Sequence, residues 1–447
     1  MAGTFTSQTA VRPGAYINFI ALRNAVGQIQ VGDRGVAIVP LETPWGPTDG
    51  IHFMTGSEYV SGAARDLFGL DVGSDAGLTL REMFKNAATV GVYRLNEGTA
   101  LPATAQPQTD VTFTAAYPGT YGDNILVTIT AVSAQFLIST FVQGRQVDRQ
   151  TVSTLNQFIP NGWFSIDAPD NTTPIESAGI LLQGGTDFVN TGDAYDGFFK
   201  AASSAIWQVA AIPSDDNNVA TKAITAVKSW RENDGKKVQA VVVNMDADYE
   251  GIINLTQGYV LSSGERITPA IATGYVAGIT ARASISESNT YAVVPNAVEI
   301  INPLNNDQIV KQLQTGMFIF SRRSDLAIVV EKDINSLHTF TEGKSYPFSK
   351  NRVIRVLDDI ATQIALVFER QYAGRIPNND FGRALLRSDL VSYFRSLVAA
   401  NAISEDFNEE TDFEILPGND IESVVANVWV TPVDSMEKLF MTVQVRG

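Results

Sequence analysis

Residues 205–243 decide the fold of this chain. They begin with Ala205-Ile-Trp-Gln-Val-Ala-Ala-Ile212, a run typical of a buried strand, which ends at Pro213-Ser-Asp-Asp216. The next segment, Val219 to Glu232, has an apolar face with helical spacing, formed by Ala220, Ala223, Ile224, Val227 and Trp230. Lys237-Val-Gln-Ala-Val-Val-Val243 is a second strand of the buried type. A strand, a capped helix and a strand at these intervals predict a βαβ unit and a largely parallel sheet.

The same rhythm occurs earlier in the chain, and a different composition separates the two parts. In residues 26–98 the pattern predicts a strand at Gly35–Val39, a helix near Leu78–Ala88 and a strand at Val90–Leu95. From Thr99 to Ile180 the chain is rich in Thr, Val, Ile, Gly and Pro. Short strands are predicted there at 110–115, 124–130 and 135–142, which favours a small β-sandwich or barrel. The sequence therefore predicts one discontinuous α/β domain interrupted by an all-β insertion.

The C-terminal part reads as a compact α+β domain. Two amphipathic helices are predicted, at Ser349–Glu369 and at about Phe381–Ala400, followed by strands at Val424–Val430 and Leu439–Val445. In the last strand Leu439, Met441, Val443 and Val445 share one face, the pattern of a half-buried strand. The connection from Thr431 to Lys438 permits either a local hairpin or transfer of the last strand to another chain.

Both ends of the chain read as strand-forming arms. Residues 11–20 are extended around Pro13 and Gly14, and a two-stranded ribbon at the other end leaves edges that seek a further strand. We therefore expect the chain to join copies of itself. The residues predicted to form the strands between subunits are Val11, Tyr16, Ile17, Phe19, Leu439, Met441, Val443 and Val445.

Composition excludes several classes of function. The chain has 447 residues, of which 45% are hydrophobic and 18% charged, and its formal net charge is −16. This acidic balance argues against general nucleic-acid binding. We expect no membrane insertion, because no apolar run reaches the length of a membrane-spanning helix, and no signal peptide is predicted at the N-terminus. Cysteine is absent, so neither disulfides nor thiolate metal sites are possible.

No pattern in the chain predicts catalytic, cofactor or metal chemistry. The only histidines are His52 and His338, so the predicted α/β core between them lacks the base of a Ser-His-Asp triad. Residues 246–251 resemble the start of an EF-hand loop, but Gln257 stands where a bidentate Glu is required. Residues 343–345 resemble the end of a phosphate-binding loop without its leading glycine. We predict no catalytic residue, no cofactor and no metal site.

An ordered set of short segments then resembles one known family. These segments are Val36 to Pro47, Ala116-Tyr-Pro-Gly-Thr-Tyr-Gly-Asp-Asn-Ile125, Leu182-Gln-Gly-Gly-Thr-Asp187, Asp234 to Val243, Asp246-Ala-Asp-Tyr-Glu-Gly251, Ser349 to Asp358, Arg375-Ile-Pro-Asn-Asn379 and Val433-Asp-Ser-Met-Glu-Lys438. Together they resemble the contractile phage tail sheath proteins, a family that also includes sheaths of defective prophages and of tail-like bacteriocins.

The resemblance implies a domain plan. It comprises an N-terminal arm (1–25), a subtilisin-like α/β domain in two parts (26–98 and 184–340), a protruding β-sandwich (99–183) and a C-terminal sheath domain with terminal strands (341–447).

The resemblance also implies assembly of the chain with itself into stacked hexameric rings of a sixfold helical sheath around a tail tube. Contraction of the sheath drives the tube through the host envelope. The expected partners are the tube protein and the baseplate and tail terminator proteins, and the expected location is the virion tail, after synthesis in the host bacterial cytoplasm. Whether the particle is a phage or a headless bacteriocin stays open.

A basic stretch is the sharpest residue-level hypothesis. Nine basic residues against five acidic ones lie between Lys344 and Arg395, and the stretch Glu405–Glu414 that follows is acidic. On the predicted helix Arg383 and Arg387 are four residues apart and share a face, and Arg395 lies near that stripe. One interpretation is a solvated face with local ion pairs to Asp380 and Asp389. The other is a contact with an acidic tube surface, because charge pairs favour register and association rate.

Two other classes of function compete with a sheath. An enzyme on the α/β scaffold would lack a well-placed histidine. A binding module formed by residues 99–180 would recognise a carbohydrate or a host surface, but Trp163 is its only tryptophan.

Overall fold

The computed structural model describes residues 34–445. They form two compact units. The first contains residues 34–361, called the body here, together with residues 432–445; the second, called the C-terminal unit, contains residues 362–431. The candidate strand residues Val11, Tyr16, Ile17 and Phe19 lie outside the described residues, and so does the predicted N-terminal arm.

The helices and strands have the following bounds. The α-helices are α1 Gly56–Val60, α2 Ala63–Phe68, α3 Asp75–Phe84, α4 Ala194–Ser204, α5 Asn217–Glu232, α6 Pro269–Arg282, α7 Asn306–Gln314, α8 Asn351–Val367 and α9 Asp380–Ala399. The strands are β1 Val36–Leu41, β2 Ile51–Thr55, β3 Thr89–Arg94, β4 Pro102–Gln108, β5 Val111–Pro118, β6 Ile125–Val132, β7 Gln135–Val142, β8 Arg145–Val152, β9 Phe164–Asp167, β10 Ser177–Leu181, β11 Val209–Ala211, β12 Gln239–Val243, β13 Ile252–Leu255, β14 Tyr259–Leu261, β15 Arg266–Ile267, β16 Ala297–Ile300, β17 Met317–Phe318, β18 Phe320–Arg322, β19 Ile328–Val330, β20 Phe413–Pro417 and β21 Val424–Val428.

A seven-stranded sheet organises the body. Its order is β17-β13-β12-β11-β1-β3-β2, and every neighbouring pair is parallel except β2–β3 at one edge. One face packs against α3 and α6, and the other packs against α4 and α5. Because both faces are covered, the central strands are almost continuously apolar. The βαβ unit predicted for residues 205–243 is confirmed as β11, α5 and β12, whose two strands pair in parallel.

The first strand of that unit is shorter than the sequence predicts. It covers Val209–Ala211 rather than residues 205–212, because Ile206 is exposed at the surface while Trp207 turns inward. The Trp207 indole N–H donates to the carbonyl of Ala202 at the end of α4. The apolar run therefore contains a turn before the strand begins.

Two antiparallel sheets between residues 102 and 181 share one apolar core. The order of one is β10-β6-β7-β8, and that of the other is β4-β5-β9. Phe113 and Phe164 from the smaller sheet pack in the same core as Val127 and Ile138 from the larger. The predicted strands at 110–115, 124–130 and 135–142 correspond to β5, β6 and β7. The predicted boundaries of the five segments of the chain remain predictions.

The C-terminal unit packs α9 against a two-stranded antiparallel sheet. Phe394 of α9 contacts Phe407 and Phe413, with ring centroids 5.5 and 5.9 Å apart. Strand β20 pairs with β21 in the register Phe413↔Val428 to Pro417↔Val424. The sequence predicted β21, although it ends at Val428 rather than Val430, and it did not predict β20.

The predicted strand at Leu439–Val445 is wrong for the single chain. The residues there have no regular secondary structure, and β21 pairs with β20 instead. The local hairpin between the two predicted strands is therefore contradicted. The physical reason is that a period-2 apolar pattern needs a covering surface, and among residues 34–445 none covers Leu439–Val445, where Phe440 is 91% exposed and Met441 74%.

Candidate assembly surface

The segment after Thr431 has two parts with opposite character. In residues 432–438, called the arm root here, two carboxylates face the body. In residues 439–445, called the arm, the large side chains are exposed. Leu439, Met441, Val443 and Val445, the predicted strand residues, all lie in the arm. Their backbone groups pair with no strand of the described part of the chain, so there the arm presents both apolar side chains and open hydrogen-bonding groups.

The arm root is held by a buried lysine. Lys350 lies immediately before α8 with its side chain only 4% exposed. Its ammonium group donates to a carboxylate oxygen of Glu437 and lies 3.3 Å from a carboxylate oxygen of Asp434. The other Glu437 oxygen accepts a hydrogen bond from the Thr290 hydroxyl at 2.8 Å. Burial opposes the charge on Lys350, but the Glu437 hydrogen bond and the charges of Glu437 and Asp434 outweigh it and raise the pKa of Lys350.

The hairpin of the C-terminal unit has apolar side chains at its surface. Leu416 of β20 and Val425 of β21 are both exposed by about two fifths, and Trp429 follows β21 with more than half of its surface exposed. Among the described residues the sheet has only these two strands, so each strand has an outer edge. Such an edge can pair with a further strand.

The three candidate tube-contact arginines lie on α9 and all have local partners. Arg383 pairs with Asp380, as the solvated-face interpretation expected, and also donates to the Asn378 side chain at 2.9 Å. Arg387 donates to the backbone carbonyl of Glu409. Arg395 pairs with the Glu409 carboxylate.

Exposure distinguishes the three arginines. The side chain of Arg395 is 63% exposed and that of Arg383 only 20%. Asp389, the other expected acidic partner, accepts a hydrogen bond from the Tyr372 hydroxyl. The structure therefore brings Arg387 and Arg395 together around Glu409, and the contact with a tube remains a prediction.

The residues considered for catalysis and metal binding have structural partners. Asp248 accepts the backbone N–H groups of His338 and Thr339, at 2.8 and 2.9 Å, and both carboxylate oxygens of Glu250 accept hydrogen bonds from the Lys344 ammonium. The EF-hand-like and phosphate-loop-like segments thus contact each other. Over residues 34–445, no group of three or more acidic or histidine side chains is arranged to hold a metal ion. Nor does any helix within those residues combine the length and apolarity of a membrane span.

A crevice at the carboxyl ends of β1 and β11 was missed by the sequence analysis. Its volume is about 940 Å³, and its walls include Glu42, Asp71, Asp75, Asp215 and Asp216. It lies where the strand order of a doubly wound sheet reverses, the usual ligand crevice of such folds. The carboxylates of Asp215 and Asp216 directly follow the β11 segment in sequence, a signal that was interpreted only as a strand end and helix cap. Asp216 does cap α5, since it accepts the Asn218 N–H at 2.8 Å.

Trp163, the tryptophan of the β insertion, faces inward rather than forming an exposed platform. It is partly buried and stacks on Trp45 with ring centroids 5.9 Å apart and planes 15° from parallel. The aromatic side chain that a carbohydrate-binding interpretation would use is therefore stacked against Trp45 at the edge of the core.

Comparison with known proteins agrees with this architecture. Three family descriptions match in order along the chain: "tail sheath protein Gp18 domain III N-terminal region" over residues 34–95, "phage tail sheath protein central domain" over 189–336, and "phage tail sheath C-terminal domain" over 344–446. The XkdK protein of the phage-like element PBSX of Bacillus subtilis is 33% identical over 99% of each chain.

Solved structures give the same result. The sheath tail protein of Desulfitobacterium hafniense is 33% identical, and the match covers 96% of this chain and 99% of that one with a TM-score of 0.82. The helical sheath of the anti-feeding prophage in its contracted state shares the fold, with a TM-score of 0.58 at 14% identity over 98% and 99% of the two chains. The protein is thus of the class of structural sheath proteins found in contractile injection systems. The chain belongs to the phage tail sheath protein family, and the resemblance seen in its sequence is confirmed.

Proposed function

We propose that this chain is the repeating subunit of a contractile sheath, which polymerises as stacked hexameric rings around a tail tube in the tail of a phage or phage-like particle. Contraction of the sheath drives the tube through the host envelope. In this proposal the body is a subtilisin-like α/β domain whose β insertion is a protruding β-sandwich. The tube protein, the baseplate and the tail terminator bind the assembled sheath.

The arm is the observation that carries this proposal. Residues 439–445 have a strand pattern, yet four of the predicted strand side chains are at least 70% exposed in the single chain: Leu439, Met441, Val443 and Val445. Exposed strands with apolar side chains pair with other chains. Addition of a strand to the edge of a sheet joins proteins through main-chain hydrogen bonds, while alternate side chains set the register.

The β20–β21 hairpin of another copy is the acceptor in this proposal. It offers an outer edge and exposed apolar side chains, Leu416 and Val425 among them. Residues 11–20 of a neighbouring subunit complete the same sheet. Each subunit then gives its arms and receives those of its neighbours.

Energy for contraction is stored in the assembled lattice. The extended sheath is a kinetically trapped state that is released when the baseplate changes shape.

Electron microscopy of the purified protein tests the proposal. We expect tubes or stacked rings from the full chain, and folded but unassembled subunits when residues 439–447 or residues 1–20 are deleted. A full-length chain that stays monomeric at high concentration with intact termini would overturn the proposal. Normal polymerisation of both deletion variants would overturn the role of the arms.

A further inference from the structure

Charged groups attach the second half of the arm root, around Met436, to the body, whereas Pro432 and Val433 at its start are half-buried. Met436, at its centre, has its side chain fully exposed, so it contributes no apolar burial. Asp434 and Glu437, three residues apart, both direct carboxylates to the same ammonium group, that of Lys350. The Glu437 side chain is only 13% exposed, whereas its neighbour Lys438 lies at the surface.

Lys350 itself is held in the body by backbone contacts and by the bonds of its neighbour. Its backbone N–H donates to the carbonyl of Pro347 at 3.0 Å, and it makes a bridge to Ile334, which is buried. The next residue, Asn351, donates from its side chain to the buried Asp333 at 2.9 Å. Thr290, which donates to Glu437, also accepts the N–H of Asp333 through its hydroxyl, so two neighbouring segments of the body hold the same carboxylate.

We propose that Lys350, Asp434 and Glu437 form an ionic joint that fixes the arm root to the body. In an isolated subunit the arm then projects from a fixed point, where a second copy of this chain can bind it. This inference rests on the proposed role of the arm and adds its regulation. A freely moving arm loses more conformational entropy when it docks than an arm whose root is already held. The joint therefore favours assembly without itself touching the neighbour.

The charged character of the joint has a further consequence. Removal of one partner leaves the other charge buried without compensation, which is strongly unfavourable. The carboxylate of Glu437 would then leave the body for water, and the arm root would leave with it. Since Met436 and Lys438 are already exposed, little apolar contact opposes release of the segment from Asp434 to Lys438; the half-buried Pro432 and Val433 precede that segment.

A distance measurement in dilute subunits tests the joint independently of assembly. The chain contains no cysteine, so Met436→Cys and Val298→Cys place spin labels on the arm root and on β16 of the body, at two exposed positions. We expect a narrow distance distribution with Lys350 present. In Lys350→Met and in Glu437→Gln we expect it to become about twofold broader, because the arm root opens locally.

Matched controls separate the joint from a general loss of structure. Lys344→Met removes a different ammonium–carboxylate contact of the body, the one to Glu250, and should leave the distribution narrow. Glu437→Gln alters the arm root without changing the body, so it remains informative if Lys350→Met fails to fold. An unchanged narrow distribution in Glu437→Gln would overturn the joint. If the distance distribution broadens in Lys350→Met and Glu437→Gln while the wild-type chain never polymerises, the joint is supported and the proposed function is contradicted.

Discussion

Substitution of two arm residues on one face should abolish polymerisation without affecting the fold. Met441 and Val443 share a face in the strand pattern and are 74% and 70% exposed in the single chain. The double variant Met441→Asp with Val443→Asp should therefore leave the thermal stability of the subunit almost unchanged, because exposed positions rarely alter stability by more than about 0.5 kcal/mol.

The cost should appear only on assembly. Full burial of a Met or Val side chain contributes about 1.5–3 kcal/mol, so the two together contribute about 3–6 kcal/mol to each joint between subunits. Since about 1.4 kcal/mol corresponds to a factor of ten, the association constant of the joint should fall by about 10²- to 10⁴-fold. Placing carboxylates against a neighbouring sheet adds to this loss.

Sedimentation velocity across a concentration series, with electron microscopy of the pelleted fraction, measures the effect. Thr442→Asp is the matched control, since it adds one carboxylate on the opposite face of the same segment and should disturb assembly less. Polymerisation of the double variant at the wild-type critical concentration would show that this face is not buried on assembly. An equal loss of assembly in Thr442→Asp would show that no particular face of the arm is buried.

Three further predictions concern the body and α9. Asp358 accepts two hydrogen bonds of 2.7 Å from Arg231, and both side chains are nearly buried. Asp358→Asn should therefore destabilise the body by about 3–5 kcal/mol. An unchanged midpoint of urea unfolding would contradict this prediction. Asp333 is fully buried, and although burial opposes its charge, Arg355 and the hydrogen bonds of Asn289 and Asn351 lower its pKa. A carboxyl with a lowered folded-state pKa stabilises the protein above its unfolded pKa of about 3.9, and this stability is lost as pH falls below that value. Stability measured between about pH 5 and pH 2 should therefore fall less steeply in Asp333→Asn than in the wild type, and parallel slopes would contradict the role of Asp333. For the tube contact, Arg395→Glu should reduce co-sedimentation with purified tubes while the subunit remains folded, and reversal of Arg383 and Arg387 to Glu should abolish it. Equal binding of all variants to tubes would show that the three arginines are not part of the tube interface.

The core of the α/β body could be read from local pattern. Strands β1, β3 and β12 and helix α5 lie close to their predicted bounds, because burial on both faces of a parallel sheet requires continuous apolar runs. The β insertion was equally visible, since three of its strands appear as short β-branched runs. Strand β20 escaped prediction because Phe413–Pro417 contains Glu414 and ends at a proline, and only its pairing with β21 makes it a strand.

Most of the candidate site could be anticipated only in outline. The apolar alternation of residues 439–445 predicted a strand. Whether that strand forms depends on a surface that covers its apolar face, and local sequence does not encode such a surface. The arginine stripe on α9 was predicted, whereas the closing of Arg387 and Arg395 on Glu409 depends on where the loop before β20 runs. The acidic crevice was missed because its carboxylates come from segments far apart in the chain.

The alternating α/β architecture and the strand-forming character of the C-terminal arm were readable from the amino-acid sequence, because periodicity and composition act over a few residues. The family was recognised from an ordered set of short segments that resemble known sheath proteins. Two contacts became visible only in the folded chain. Lys350 pairs with Asp434 and Glu437, which lie more than eighty residues further along the sequence, and β20 rather than the arm pairs with β21. Such pairings depend on which charges are buried together and which strand edge lies nearest, and these are properties of the folded chain.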